Sequence, residues 1–205
     1  MSVFPPSLAG VPATSRPELD RALERLQRHK ERWREVSLGD RIRLLREVER
    51  RLVLHGRSWA AACAIDAGYR PEENGAGEAF LASAVVTLRA LRQYREALAC
   101  EGQPKLKTKV RSNGQVTARV LPVSVADALL FPRVTADVWL EPGADPTKGR
   151  IYREGHPDPG RVALVLGAGN IPSIAPTDAL HKLLVEDQVV LLKMNPVNEY
   201  CGPFL

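Results

Sequence analysis

The sequence predicts an α/β protein in which N-terminal helices and a β-hairpin arm lead into the beginning of a parallel sheet. Three observations predict it. Apolar residues recur at helical spacing over much of residues 15–101. Alternating residues flank the pair Asn113-Gly114, which is typical of a two-residue hairpin turn. Further along, the apolar runs VALVL and VVLLK enclose a glycine turn and a helical pattern, which is the order of a βαβ unit.

Composition is that of an ordinary globular protein, because 44% of the 205 residues are apolar and 26% are charged. Charged residues or prolines interrupt every apolar run before it reaches the length of a membrane span. The N-terminus lacks the blocks of a signal peptide. Three widely spaced cysteines argue against a disulfide framework and favour the cytoplasm, and no Cys or His pair has metal-ligand spacing, so we expect no metal site.

The net charge of +5 raises the question of a nucleic-acid partner. Most of the excess is arginine in RALERLQRHKERWRE and RIRLLREVERR, where glutamates stand three or four positions away. No nucleic-acid-binding motif is present, and aromatic residues do not alternate with the basic ones. The pattern therefore favours solvated helix faces over nucleic-acid binding.

A proline-rich stretch opens the chain, and we predict a flexible leader over residues 1–14. A helical segment over residues 15–101 follows. Its first helix begins at Ser15, where Glu18 completes a capping box and Pro17 occupies the first turn.

Three further helices are predicted in this segment. Ser37 caps a helix that we expect to stop at His55-Gly56, since glycine often follows a helix end. A short helix over about residues 58–67 and a long helix over about residues 73–99 come next. Their apolar stripes are typical of packing rather than of a functional site.

The hairpin forms a predicted arm over residues 102–124. Its two halves, KLKTKVR and QVTARVL, alternate in a way that suits a two-faced ribbon. Residues 125–160 are rich in proline and predict a connecting segment with one short helix and one short strand.

Residues 161–205 predict the start of a nucleotide-binding βαβ domain, and so an incomplete Rossmann-like parallel sheet. RVALVL is the first buried strand, GAGN the turn, and QVVLLKM the second buried strand. The helix between them is expected to start near Pro176 or Thr177. Both strands are continuously apolar, as in a parallel sheet that is covered on both faces.

Gly167 and Gly169 are candidate cofactor-binding residues, because a glycine turn lets a pyrophosphate approach the backbone near a helix N-terminus. The common dinucleotide fingerprint has a third glycine where Pro172 stands. It also has an acidic residue near the end of the second strand, where Lys193 stands. The sequence thus departs twice from an ordinary Rossmann dehydrogenase.

The stretch LGAGNIPSIAPTDALHKLLVEDQVVLLKMNP resembles the aldehyde dehydrogenase superfamily. Family members end this strand in an Asn flanked by Pro or Gly, carry Ala-Leu within the helix, and end the next strand in Val-Val-x-Lys or similar. The matching positions here are Asn170, Ala179-Leu180 and Lys193. The resemblance covers most of the chain from about Ser15. It is to a divergent bacterial branch near the acyl-CoA reductases.

The resemblance implies an NAD(P)-dependent oxidoreductase that oxidises aldehydes to acids or reduces acyl thioesters. It gives Asn170 a catalytic role, in which the side-chain amide stabilises an oxyanion. The alternative is an Asn that caps a turn after glycine. The resemblance also implies that Lys193 binds the adenosine ribose of the cofactor. The alternative is that Lys193 is simply an exposed lysine at a strand end.

The choice between NAD and NADP stays open. Many NAD-preferring members have an acidic residue three positions after the lysine, where Pro196 stands here, and Glu199 lies further on. A lysine at position 193 could also pair with a 2′-phosphate. A further departure is Asp187-Gln188, where the family has Gly-Asn, since Asp adopts a left-handed turn less readily than Gly.

The family reaction needs a cysteine nucleophile and a glutamate base, which belong to later parts of the family fold. Cys201 has no catalytic context, and Cys63 and Cys100 are expected to be buried in helices. We therefore expect a truncated domain that is inactive alone. Three explanations remain open, namely a truncated or frameshifted reading, a fragment completed by a second polypeptide, and a standalone interaction module. Truncation is preferred.

Partners follow from the same resemblance. The parent enzyme is expected to bind an aldehyde or acyl substrate. No membrane partner is expected. The hairpin arm resembles the element that bridges subunits in the family, so self-association through the arm is expected. A non-catalytic oligomerisation or interaction module derived from the family is the alternative function, because an isolated ribbon leaves backbone groups unpaired.

Overall fold

A computed structural model describes residues 12–144, 146, 148–155 and 159–205. Within the predicted leader, residues 1–11 lie outside the described residues, and residues 12–14 are exposed and irregular. The described chain is a mixed α/β structure with two small sheets, one antiparallel and one parallel.

Seven α-helices and five strands are found in the described residues. The helices are α1 (Arg16–Arg34), α2 (Leu38–Asp66), α3 (Ala76–Phe80), α4 (Val86–Ala99), α5 (Val125–Leu130), α6 (Arg150–Glu154) and α7 (Ile174–Leu184). The strands are β1 (Thr108–Val110), β2 (Val116–Leu121), β3 (Ala136–Trp139), β4 (Val162–Leu166) and β5 (Val189–Lys193). A π-helical turn (Leu81–Val85) joins α3 to α4, and a 3₁₀ helix (Glu199–Phe204) follows β5.

Both predicted helix caps are confirmed. The Glu18 carboxylate accepts a hydrogen bond from the backbone N–H of Ser15 at 2.8 Å. The hydroxyl of Ser37 accepts one from the backbone N–H of Asp40 at 3.1 Å. These bonds satisfy donors that a helix start would otherwise leave free.

The predicted helix stop at His55-Gly56 is wrong, because α2 continues through both residues to Asp66. Gly56 is buried, and a Cβ there would lie 3.1 Å from the Cβ of Ala84. The glycine therefore lets the π-helical turn approach α2 closely instead of ending the helix.

The core lies around α2. This helix packs against α3, the π-helical turn, α4 and the 3₁₀ helix. The members of the core share full or nearly full burial, and they include Trp59, Leu91, Leu98 and Leu45. The two-stranded sheet and the arm are thus attached to a helical body.

The arm is a three-stranded antiparallel sheet in the order β1-β2-β3. The predicted hairpin is confirmed, since Val110 pairs with Val116 across a turn in which Gly114 has a φ of 79°. The connecting segment contributes β3 to this sheet, and it holds two short helices, α5 and α6, where one was expected. Asp127 fastens α5 to α4 through ion pairs to Arg89 and Arg92, each at 3.4 Å.

The predicted βαβ unit is confirmed. Strands β4 and β5 pair in parallel from Val162↔Val189 to Leu166↔Lys193, and α7 connects them. The helix starts at Ile174, slightly before the predicted position. The expectation that both strand faces are covered is wrong for β4 within the described chain, because Leu164 and Leu166 are exposed there.

A buried arginine joins the N-terminal helices to the βαβ unit. Arg41 of α2 donates to the Asp187 carboxylate at 2.5 Å, and both side chains are almost completely buried. The guanidinium lies 4.7 Å from the ring centre of Trp33 and 5.9 Å from that of Tyr152. Asp187 adopts the left-handed conformation that its position between α7 and β5 requires, with a φ of 56°. We call these four side chains the Arg41 cluster.

None of the helices in the described ranges is both long and apolar enough to span a membrane.

Candidate functional site

The candidate site lies at the carboxyl ends of β4 and β5. In a parallel sheet these ends meet at one edge, where nucleotides bind in many α/β proteins. The turn of residues 167–170 follows β4, and the segment of residues 194–198 follows β5. The Gly167 N–H donates to the Lys193 carbonyl at 2.8 Å, so the two chain segments remain paired beyond the strands.

Both candidate glycines face protein atoms at the position of their missing side chains. A Cβ on Gly169 would lie 2.9 Å from the Asn195 side-chain oxygen. A Cβ on Gly167 would lie 3.2 Å from both the Ala175 Cβ and the Asn195 backbone nitrogen. Internal packing of the turn therefore explains the requirement for glycine at both positions, and only their backbone groups remain as possible cofactor contacts.

Two asparagines that sequence analysis missed support the turn. Asn198 is buried, and its side-chain amide donates to the Ala168 carbonyl at 2.9 Å. The Asn195 side-chain oxygen accepts from the Val197 N–H at 3.0 Å while it contacts Gly169. The sequence signal is the motif NPVN directly after the second strand, since Asn and Pro favour turns. The candidate Lys193 is exposed at the strand end, beside this motif.

The start of α7 has few backbone donors left for a phosphate. The Ser173 N–H donates to the Ala82 carbonyl at 3.1 Å, and the Ile174 N–H donates to the Ile171 carbonyl at 3.3 Å. Pro176 has no N–H. A pyrophosphate held by a helix N-terminus needs such groups, so this helix start does not fit that role.

Asn170 lines a cavity of about 150 Å³ between the turn and the helical body. Asp66 and Cys63 of α2 line the same cavity, as do Glu78 of α3 and Tyr200 of the 3₁₀ helix. The site thus places the candidate oxyanion donor opposite two carboxylates and a thiol. No local sequence pattern brings these groups together, because α2 and the turn are separated by about a hundred residues.

Burial and hydrogen bonding shift the pKa values of two ionisable groups that line this cavity. Burial raises the pKa of Asp66, against a hydrogen bond from Tyr200. The Cys63 thiol donates a hydrogen bond to Cys201, and this bond together with burial raises the pKa of Cys63. Cys63 therefore stays protonated at neutral pH and is a poor nucleophile.

Cys201 behaves in the opposite way. The hydrogen bond from Cys63 lowers the pKa of Cys201 to about 7, against the effect of burial. Its side chain is completely buried, so no substrate reaches it in this conformation. The expected burial of Cys63 is confirmed, whereas that of Cys100 is wrong, because Cys100 follows the last residue of α4 and is exposed.

No group of three or more His, Cys, Asp or Glu side chains that could hold a metal ion occurs in the part of the chain that the structure describes.

No protein-family model matches this chain, and no curated protein matches it in sequence. Its mixed α/β architecture and the geometry of the strand-end edge therefore carry the functional argument.

Proposed function

We propose that this chain is part of an NAD(P)-dependent aldehyde dehydrogenase-like oxidoreductase, which oxidises aldehydes to acids or reduces acyl thioesters. One observation carries the proposal. The turn with Asn170 and the segment after Lys193 converge at the carboxyl edge of a parallel strand pair, the usual place of a nucleotide in α/β folds. The strand–helix–strand unit then belongs to a Rossmann-like nucleotide-binding domain, and the reaction takes place in the cytoplasm.

Asn170 supports the catalytic part of the proposal. Its side chain lies at the wall of a cavity that accommodates a small carbonyl group. Asn170 is exposed at the mouth of this cavity. Its amide N–H could stabilise the negative charge that develops on a carbonyl oxygen during nucleophilic attack. The cavity thiol, Cys63, stays protonated, so a nucleophile from elsewhere must complete the reaction and the chain alone is inactive.

The described residues fit one end of the cofactor better than the other. The exposed Lys193 suits the adenosine ribose or a 2′-phosphate. The Gly167 N–H already donates to the Lys193 carbonyl, so the backbone at Gly169 is the contact that the turn offers, while the start of α7 does not supply a phosphate cradle. When bound, NAD(P) accepts or donates a hydride.

The cofactor proposal predicts weak nucleotide binding by the isolated chain. We expect saturation-transfer NMR signals from the adenosine protons of NAD or NADP, with a Kd on the order of 1 mM, because one strand pair is a poorly preorganised platform. At nucleotide concentrations at or below this Kd, Lys193→Ala should abolish at least two thirds of the signal, since a loss of roughly 1 kcal/mol of contact energy raises the Kd about fivefold. No reduced nicotinamide should form with added aldehydes.

Lys107→Ala is the matched control, since Lys107 is an exposed lysine of the arm, away from the strand-end edge. It should leave the signal unchanged. Absence of any signal from the wild-type chain at 5–10 mM nucleotide, roughly five to ten times the expected Kd, contradicts the cofactor proposal. Equal losses in both lysine variants contradict the assigned position.

A second candidate function is supported by the arm together with helix α5, which lies between β2 and β3 in the chain. Helix α5 and strand β3 expose several large apolar side chains, namely Val125, Leu129, Leu130, Val138 and Trp139. Exposed apolar groups on two elements that are close in the chain favour association with another protein surface. We propose that the arm joins this chain to a second copy, or to a full-length relative, as an interaction module.

The interaction module predicts a dimer that one substitution on α5 dissociates. Leu129→Arg should raise the dissociation constant at least tenfold by placing a charge in an apolar interface. Multi-angle light scattering after size exclusion measures the change in mass. Leu54→Arg is the control, because Leu54 on α2 is 62% exposed and Leu129 is 77% exposed. A monomeric wild-type chain at 100 μM, roughly a hundredfold above a typical 1 μM Kd, contradicts the proposal.

A further inference from the structure

The net charge of the chain is concentrated in the hairpin of residues 102–124. This segment holds five lysines and arginines and no acidic residue, which equals the net charge of +5 for the whole chain. The surplus of arginine on the helices is therefore balanced by acidic residues outside the hairpin. A projecting segment that carries one sign of charge attracts an anionic partner.

The register of the arm brings two of these cations to one face of the sheet with an aromatic ring. Lys109 pairs with Thr117 on β2, and Thr117 pairs with Trp139 on β3. Residues that pair across a sheet share a face with alternate residues along each strand, so Arg111 joins them. Lys109 and Arg111 are exposed, and Trp139 is 56% exposed. We call Lys109, Arg111 and Trp139 the arm face.

Arg111 is held in position by its backbone and by its side chain. Its N–H donates to the Gln115 carbonyl, and its carbonyl accepts from the Gly114 N–H, each at 2.9 Å. Its guanidinium carbon lies over the Trp139 ring, 3.9 Å from the ring centre. A guanidinium that stacks on a ring keeps its N–H groups in its own plane, where they can donate to a phosphate in a bidentate manner. Arg111 is therefore ordered before a ligand binds.

The cations of the arm face are not neutralised by a carboxylate. Asp137 is the only acidic residue of the three strands, and Arg119 binds it at 2.6 Å. Within the described ranges of the chain, Lys109 and Arg111 take part in no ion pair. Their charges are thus available to an anionic ligand.

We propose that the arm face binds single-stranded nucleic acid, with Lys109 and Arg111 on the phosphates and a base stacked on Trp139. Proteins that bind single strands combine cations along the backbone with aromatic rings on which bases stack. A lipid surface fits less well, because it requires apolar side chains beside the cations, and Val110 and Val138 lie on the opposite face of the sheet. Neither the aldehyde chemistry nor the interaction module uses the two cations.

The test measures fluorescence anisotropy of a short labelled oligothymidylate with the full chain. We expect a Kd on the order of 10 μM at low salt, as for other binding without sequence preference. Trp139→Ala should raise the Kd at least about fivefold, because the stacked base loses its platform. Trp139→Phe keeps an aromatic ring and should retain most of the affinity.

A double variant tests the two cations. Lys109→Ala/Arg111→Ala should raise the Kd about tenfold. It should also reduce the slope of log Kd against log salt concentration by about 1.4, since each phosphate contact of a single strand contributes roughly 0.7. Arg50→Ala/Arg51→Ala is the matched control, because it removes the same charge from two exposed arginines of α2. It should leave the slope unchanged and alter the Kd less than about twofold.

Several results would overturn the proposal. Equal losses in the two double variants would assign binding to the net charge of the chain instead of the arm face. A duplex bound as tightly as the single strand would exclude stacking on Trp139, as would full affinity in Trp139→Ala. Binding to vesicles of anionic lipid without binding to oligothymidylate would identify a membrane surface instead. Should Trp139→Ala fail to fold, the salt slopes of the two double variants still decide.

Discussion

Replacing Arg41 with methionine is expected to lower the free energy of unfolding by about 3–5 kcal/mol. The substitution removes the 2.5 Å partner of the nearly completely buried Asp187 carboxylate, which keeps the more distant ion pair to Arg34 at 3.9 Å. It also removes donors to the Trp33 and Val36 carbonyls. Urea unfolding followed by circular dichroism measures the change.

Two controls separate charge from volume. Arg43→Met removes an arginine from an exposed ion pair with Asp40 on the same helix, so it should cost less than about 1 kcal/mol. Asp187→Asn neutralises the other partner and keeps a residue that tolerates positive φ. The double variant Arg41→Met/Asp187→Asn should lose about 1–3 kcal/mol less stability than the sum of the losses in the two single variants. An Arg41→Met chain as stable as Arg43→Met contradicts the role of the Arg41 cluster.

Gly149→Ala should destabilise the fold by about 2–4 kcal/mol. Gly149 has a φ of 52°, where a side chain is strained, and a Cβ there would overlap the carbonyl of Gly102. This carbonyl belongs to the backbone and cannot move aside without shifting the end of the helical segment. The same unfolding assay measures the loss.

Gly114→Ala is the control for backbone strain alone. Gly114 also has a positive φ, of 79°, but no atom of another part of the chain lies within 4 Å of the place that a Cβ would take. We expect a loss of about 1 kcal/mol there. Equal losses in Gly149→Ala and Gly114→Ala would show that the overlap with the Gly102 carbonyl adds no cost beyond that of the positive φ.

Local features were predictable where they depend on neighbouring residues. The caps at Ser15 and Ser37 and the turn at Gly114 use partners within a few positions, so the sequence pattern predicts them correctly. Gly56 was misinterpreted because its partner, Ala84, lies on another element. A glycine that permits a close approach looks the same in sequence as a glycine that ends a helix.

The candidate site was predictable to a similar extent. The pattern placed Asn170 at the end of a parallel strand, as the structure has it. It did not indicate that α2 supplies Asp66 and Cys63 to the same cavity, or that Asn198 supports the turn. These contacts depend on how the helical body meets the strand pair, which no local periodicity encodes.

The packing of α1 against β4 and β5 has a consequence during synthesis. The helix leaves the ribosome about 150 residues before β5 does, and translation at about 5–20 residues per second makes that interval on the order of ten seconds. A lone 19-residue helix is only marginally stable in water. The N-terminal helix is therefore incompletely formed until β4 and β5 have been synthesised and pack against it.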